Sequence, residues 1–212
     1  MKTLLVAGGI GLVVSLVVTR LLITWLINAH IGQPIREDGP EGHSTKAGTP
    51  TMGGLAIVVG AVAGYVISDI SSSRIITRSG LLVMAAIVGA GLVGLVDDYL
   101  KVSRERNLGL NKRAKIIGLL IVAVGFAALT VVHTPVHTEL SLTRFDQFDL
   151  DLGPIGWMVF AVLLILGSAN AVNLTDGLDG LAGGSAVFAF MAFTIIGFWA
   201  FRHPETYDVV HA

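Results

Sequence analysis

The chain has 212 residues, 53% of them hydrophobic and only 14% charged, with a formal net charge of −1. Soluble domains carry roughly 25% charged residues, so this composition excludes an ordinary water-facing domain, and its apolar excess excludes disorder. The absence of cysteine excludes a disulfide framework, a cysteine zinc site and a thiol nucleophile, which leaves an integral membrane protein.

A membrane helix needs roughly 20 mostly apolar residues. Six charge-poor windows approach or meet that length: Leu4–Ile27, Ala47–Ser68, Ser79–Val96, Ile116–Val132, Leu152–Thr175 and Gly180–Phe201. The first is interrupted only by Arg20, near its second end, where the side chain can snorkel to the interface. Its apolar run exceeds the roughly 7–15 residues of a signal-peptide core, which favours a membrane span over a cleaved leader. The third and fourth windows are short and are predicted to borrow flanking residues. Abundant glycine, 26 residues in all, lets helices approach closely in lipid. No internal repeat stands out at periods of 20–50 residues. The expectation is an all-α polytopic membrane protein of six transmembrane helices, with 1–212 forming a single membrane domain.

Between the fourth and fifth windows, Glu139 to Leu152 alternates polar and apolar residues through Leu140, Leu142, Phe145, Phe148 and Leu150. This predicts a short external β-hairpin. Lys and Arg number eight in loops one, three and five (Arg36, Lys46, Lys101, Arg104, Arg106, Lys112, Arg113 and Lys115). The other side has five: Lys2, Arg74, Arg78, Arg144 and Arg202. The positive-inside bias puts the odd loops in the cytoplasm and the amino terminus outside.

The unusual polar sequence is all in those odd loops. Loop one, from Gln33 to Gly54, is rich in Gly and Pro, which forbid a continuous helix. Its backbone N–H groups, with Lys46 and Thr51, suit an anion. Asp97 and Asp98 close the third window; adjacent helical residues point about 100° apart, while Asp97 and Lys101 share a face. Two acids at a membrane boundary repel unless a metal or a cation is shared between them. At the fifth window, Asn170, Asn173, Asp176 and Asp179 recur every three residues. They converge only if the helix breaks, and Gly177 and Gly180 supply the break. Carboxylates, cations and Gly-rich turns on one side suggest magnesium and phosphate. They point to an enzyme joining a phosphorylated cytosolic substrate to something held in the membrane.

These strings also carry a resemblance. Residues 36–54, reading Arg-Glu-Asp-Gly-Pro-Glu-Gly-His-Ser-Thr-Lys-Ala-Gly-Thr-Pro-Thr-Met-Gly-Gly, resemble the first cytoplasmic loop of the phospho-N-acetylmuramoyl-pentapeptide transferases. Asp97-Asp98-Tyr99-Leu100-Lys101 and the Asn170–Gly180 string resemble that family's next two motifs. The resemblance implies transfer of phospho-N-acetylmuramoyl-pentapeptide from its UDP-linked donor to undecaprenyl phosphate, with magnesium as cofactor. Lipid I and UMP are the products, in the bacterial cytoplasmic membrane.

It implies that Asp97 deprotonates or positions the lipid phosphate, with Asp98 beside it as a second catalytic residue, and the two are also the candidate metal ligands in this chain. Lys46, Thr51 and Lys101 would meet the nucleotide or its phosphates. Asn170, Asn173, Leu174, Asp176, Gly177 and Asp179 would form the wall for uridine and diphosphate. A homodimer is among the partners it allows. The family has about ten membrane helices, a further magnesium-binding Asp and a His-rich motif. The present chain therefore corresponds to an amino-terminal portion, and by itself is expected to be inactive. One alternative is a related transferase using UDP-N-acetylglucosamine. The other, a secondary transporter, predicts carboxylates near the bilayer midplane rather than at span ends on one side.

Overall fold

Each apolar window is realised as a helix, because a segment buried in lipid must satisfy its own backbone hydrogen bonds. The structure, a computed structural model, describes residues 2–29, 52–71, 76–103, 109–141, 149–177 and 180–203. Within them run α1 (Lys2–Asn28), α2 (Gly54–Ser71), α3 (Arg78–Ser103), α4 (Lys112–His133), β1 (Glu139–Ser141), β2 (Asp149–Asp151), α5 (Gly153–Thr175) and α6 (Leu181–Arg202). Five of the helices, all but α2, are long and apolar enough to cross a membrane. The apolar stretch of α2, Gly54–Ile70, is shorter; its 17 residues rise about 26 Å against a hydrocarbon core of roughly 30 Å.

Boundaries shift where local chemistry decides them. α3 passes Val96 and continues to Ser103, since no Gly or Pro intervenes and Lys101 pairs back with Asp97 across one turn. α4 starts at Lys112 because the Asn111 side chain caps it, accepting a hydrogen bond from the Ala114 amide at 2.7 Å. α2 starts only at Gly54, after Met52 in the left-handed region (φ 71°) and a turn at Gly53. The expected start at Ala47 lies outside the described residues.

The predicted hairpin is present. β1 and β2 pair antiparallel, with Glu139 opposite Asp151, Leu140 opposite Leu150 and Ser141 opposite Asp149. Asp151 ties the hairpin to α5: its Oδ1 accepts from the Thr138 hydroxyl and from the Gly153 amide, both at 2.8 Å. A carboxylate at a helix start satisfies an orphan amide and opposes the positive end of the helix dipole. The two hydrogen bonds, the Gly153 amide first and the Thr138 hydroxyl second, hold the Asp151 carboxyl below its usual range.

The chain divides into two compact units, Met1–Thr134 and Pro135–Ala212. In the first, α1 and α2 pack on glycine: a Cβ added at Gly60 would stand 2.7 Å from the Gly11 carbonyl oxygen, and one at Gly64 would stand 2.6 Å from that of Ala7. Such spacing of small residues lets backbones approach where no hydrophobic effect drives association. α3 and α4 pack through Gly89 against Val122 and Gly118 against Val93. Leu119, Ala123 and Ala127 of α4 are buried. In the second unit neither α5 nor α6 buries a residue. Ile155, Leu163, Phe188 and Phe193 are largely exposed, as suits helices whose solvent is lipid.

Candidate functional site

The acidic pair lies in the last two turns of α3. Its carboxylates diverge, as the helix dictates, and share Lys101 while differing in their other surroundings. Asp97 is 6% exposed. Its Oδ1 accepts from the Leu110 amide at 2.8 Å, and its Oδ2 lies 2.7 Å from Lys101 Nζ and 3.6 Å from Lys115 Nζ. Asp98 is more open, and among the described residues it meets only Lys101, whose Nζ lies 2.9 Å from its Oδ1. The shared cation that two adjacent acids call for is thus the Lys101 ammonium, which bridges them. Lys101 has three N–H donors; the two carboxylates engage two of them, leaving one that a phosphate could use.

Lys115 belongs to the first turn of α4 and reaches back to α3. Between them, Gly109 presses on the pair: a Cβ there would stand 2.5 Å from both the carbonyl oxygen and Oδ1 of Asp97. Only glycine lets the backbone come so close. In the sequence Lys115 is one of the eight odd-loop cations, and neither Gly109 nor the Leu110 amide stands out. The usable signal was Asn111, a capping residue before an apolar run, which puts Lys115 at the start of a helix and not in a loop.

These two carboxylates do not fit magnesium as a resident ion in this arrangement. Lys101 stands where a bridging ion would, and both oxygens of Asp97 are engaged. Among the described residues no three His, Asp or Glu side chains gather as a metal site. The expected assignment of magnesium to Asp97 and Asp98 therefore finds no support in their geometry, for the physical reason that an ammonium already neutralises them.

The other predicted cluster lies in the second unit. α5 ends at Thr175, and the backbone turns at Asp176 and Gly177. Gly180, in the left-handed region at φ 78°, opens α6. The helix break that the glycines predict is there. Asn170 still lies on the helix and donates its side-chain amide to the Leu166 carbonyl at 2.8 Å. Asn173 lies a turn later and is exposed. Leu174 is 80% exposed. Asp176, also exposed, caps α5 through its backbone N–H to Val172. Lys46, Thr51 and Asp179 lie outside the described residues.

Comparison with known proteins covers both clusters. Residues 80–211 match the family model of glycosyl transferase family 4. Residues 46–58, which include Lys46 and Thr51, match signature 1 of phospho-N-acetylmuramoyl-pentapeptide-transferase. Proteins of that name from Streptomyces griseus subsp. griseus, Streptomyces coelicolor and Thermobifida fusca are 45%, 46% and 45% identical to this chain. Each match covers 95% of this chain and 58% or 59% of the relative. The chain thus spans less than two thirds of the length of these curated relatives. Its own helices, its signature segment and a match over more than half its length agree, and the chain belongs to glycosyl transferase family 4.

Proposed function

We propose that this chain serves a phospho-N-acetylmuramoyl-pentapeptide transferase, acting at the first membrane step of peptidoglycan synthesis. The enzyme would move phospho-N-acetylmuramoyl-pentapeptide from its UDP-linked donor to undecaprenyl phosphate. The observation that carries the reading is the Asp97–Lys101–Asp98 cluster with Lys115, placed at the end of a membrane-crossing helix. The named relatives and the matched signature support the same substrates.

In the reaction an oxygen of the acceptor phosphate bonds to the sugar-bearing phosphorus of the donor. The bond from that phosphorus to the bridging oxygen breaks, and UMP leaves with that oxygen. Several negative charges must meet, and two unit charges at 4 Å repel by about 4 kcal/mol at an effective dielectric near 20. The remaining N–H of Lys101 and the ammonium of Lys46 would offset this, while Thr51 would donate a hydrogen bond to a phosphate. Asn170, Asn173, Asp176, Gly177 and Asp179 would hold uridine and diphosphate, with the Leu174 backbone beside them. Magnesium is the cofactor that the resemblance implies. The enzyme would sit in the cytoplasmic membrane, its odd loops inward.

The test is incubation of membranes containing the natural gene product with UDP-muramoyl-pentapeptide and undecaprenyl phosphate. UMP and a diphosphate-linked lipid should appear together. Turnover of UDP-N-acetylglucosamine in place of the muramoyl donor would overturn the substrate assignment, and absence of both products would overturn the transferase itself.

A further inference from the structure

We propose that the exposed face of α1 around Arg20 binds the phosphate group of a bilayer phospholipid, in the leaflet beside the carboxy-terminal end of that helix. The proposal is independent of the transferase reading.

Arg20 is the one charged residue in the span Leu5–Asn28. It is exposed, among the exposed side chains of Val13, Leu16, Val17 and Ile23. Among the described residues its guanidinium has no hydrogen-bond or ion-pair partner. A cation inside a span is costly and calls for an anion. The packed side of α1 does not supply one. Gly11 and Ser15 face Gly60 of α2, and Arg20, nine residues past Gly11, is turned about 180° from that contact. α2 in turn meets α3 through Val58 against Gly91, and Val58 lies about 200° around the helix from Gly60. α1 and α3 thus pack on opposite sides of α2, and Arg20 points away from Lys101 and the acidic pair. The anion it meets is a lipid of the surrounding bilayer and not one seated at that cluster.

Depth and pattern fit a phosphate. Trp25 is 58% exposed and marks the polar boundary, where tryptophan is enriched in membrane helices. Arg20 lies five residues, about 7.5 Å, nearer the bilayer centre, a distance that an extended arginine side chain nearly spans on its way to the interface. Thr24 and Asn28 follow at i+4 and i+8, both exposed, so a polar track runs from Arg20 to the helix end. The Thr24 hydroxyl donates to the Arg20 carbonyl at 3.0 Å, which leaves its oxygen free to accept from the guanidinium. The Asn28 side-chain amide has no partner among the described residues and two N–H groups to donate. Arg20 and Asn28 are about 12 Å apart along the axis, so a phosphate between them is met from both ends. The guanidinium fork engages two phosphate oxygens at once. The acyl chains of the same lipid would lie toward the bilayer centre, along Val13, Leu16 and Val17.

The experiment uses the natural gene product, purified in detergent and freed of phospholipid. Thermal unfolding is followed while phosphatidylglycerol, diacylglycerol with the same acyl chains, or undecaprenyl phosphate is titrated in. Phosphatidylglycerol should raise Tm saturably, and diacylglycerol should not. Arg20→Gln should raise the half-saturating phosphatidylglycerol concentration about 10-fold or more, the scale of a hydrogen bond to a charged group. Arg20→Lys, a point charge without the fork, should raise it less, and Asn28→Ala should raise it a few-fold. The response to undecaprenyl phosphate should be the same in Arg20→Gln as in the unaltered protein. Without added lipid, Arg20→Gln should unfold at the unaltered temperature or above it.

An unchanged phosphatidylglycerol response in Arg20→Gln overturns the proposal, and so does an equal response to diacylglycerol. A lipid-free Arg20→Gln that unfolds earlier overturns it too, because the guanidinium then has a carboxylate partner within the protein. Loss of the undecaprenyl phosphate response in Arg20→Gln, with the phosphatidylglycerol response intact, overturns the assignment to bilayer phospholipid.

Discussion

Asp176 and Asp151 show how differently one residue type is employed outside the acidic pair. Asp176 ends α5 with its side chain exposed, so its carboxylate is available to a ligand and contributes little to the fold. A hydrogen bond to a charged group contributes about 1.5–3 kcal/mol. Asp176→Asn should therefore weaken donor binding roughly 10- to 150-fold, with a smaller change in turnover, as read by nucleotide-donor titration of the natural gene product. Unchanged affinity would remove Asp176 from the binding wall. Asp151 is committed to the fold, and its carboxyl is held below the usual range by the Gly153 amide and then the Thr138 hydroxyl. A group with a depressed folded pKa contributes its stability above the unfolded pKa of about 3.9, and that contribution is lost as pH falls through the folded value. Acidification below pH 4 should thus lower the protection of the Gly153 amide, its exchange rate being taken relative to that of an unprotected amide at the same pH. In Asp151→Asn the exchange should already be faster at pH 7 and should lose this acid dependence.

At the scale of elements, close packing of α1 on α2 is a property of particular glycines. Ala has the higher helix propensity, by about 1 kcal/mol, so Gly→Ala in an open helix should be neutral or stabilising. Gly8 is such a site, with nothing within 4 Å of an added Cβ, whereas Gly60 and Gly64 face backbone carbonyls at under 3 Å. Overpacking typically costs about 1–3 kcal/mol. Thermal unfolding in detergent should therefore show Gly60→Ala and Gly64→Ala destabilised and Gly8→Ala unchanged or improved. Equal behaviour of the three would mean that the two helices do not meet along this face. The sequence announced glycine-mediated packing in general but not its partners, since which glycine faces which carbonyl depends on the rotation of two helices far apart in the chain. Helix ends were partly legible: the Gly177–Gly180 break was visible as residues, and the extension of α3 over Asp97 and Lys101 followed from the short third window and the i,i+4 spacing of that pair, but the end at Ser103 did not. The hairpin was visible by alternation, and its tie to α5 through Asp151 was not.

For the whole molecule, the count of spans and the distribution of Lys and Arg make an orientation testable. The odd loops with their adjoining helix ends carry eight of these residues against five on the other side, a bias expected to keep them in the cytoplasm. Single cysteines can be placed at Lys112, Gly177 and His137, since the chain has no cysteine of its own. In intact cells an impermeant thiol reagent should spare Lys112→Cys and Gly177→Cys and label His137→Cys. Labelling of Lys112→Cys from outside would reverse the orientation and with it the cytosolic donor.

The sequence by itself determined the solvent of this protein, its helical class, the approximate place of each helix, the hairpin and the residue types from which a phosphate site is built. Those follow from composition and from periodicity along the chain, which are local properties. Only the tertiary structure decided which charges meet. Asp97 and Asp98 are equivalent as letters and share Lys101; what separates them is a backbone amide thirteen residues away and a second lysine on the next helix, both of which reach Asp97. Electrostatic energy depends on distance through space and on burial, and neither is written in the order of the residues until the helices have packed.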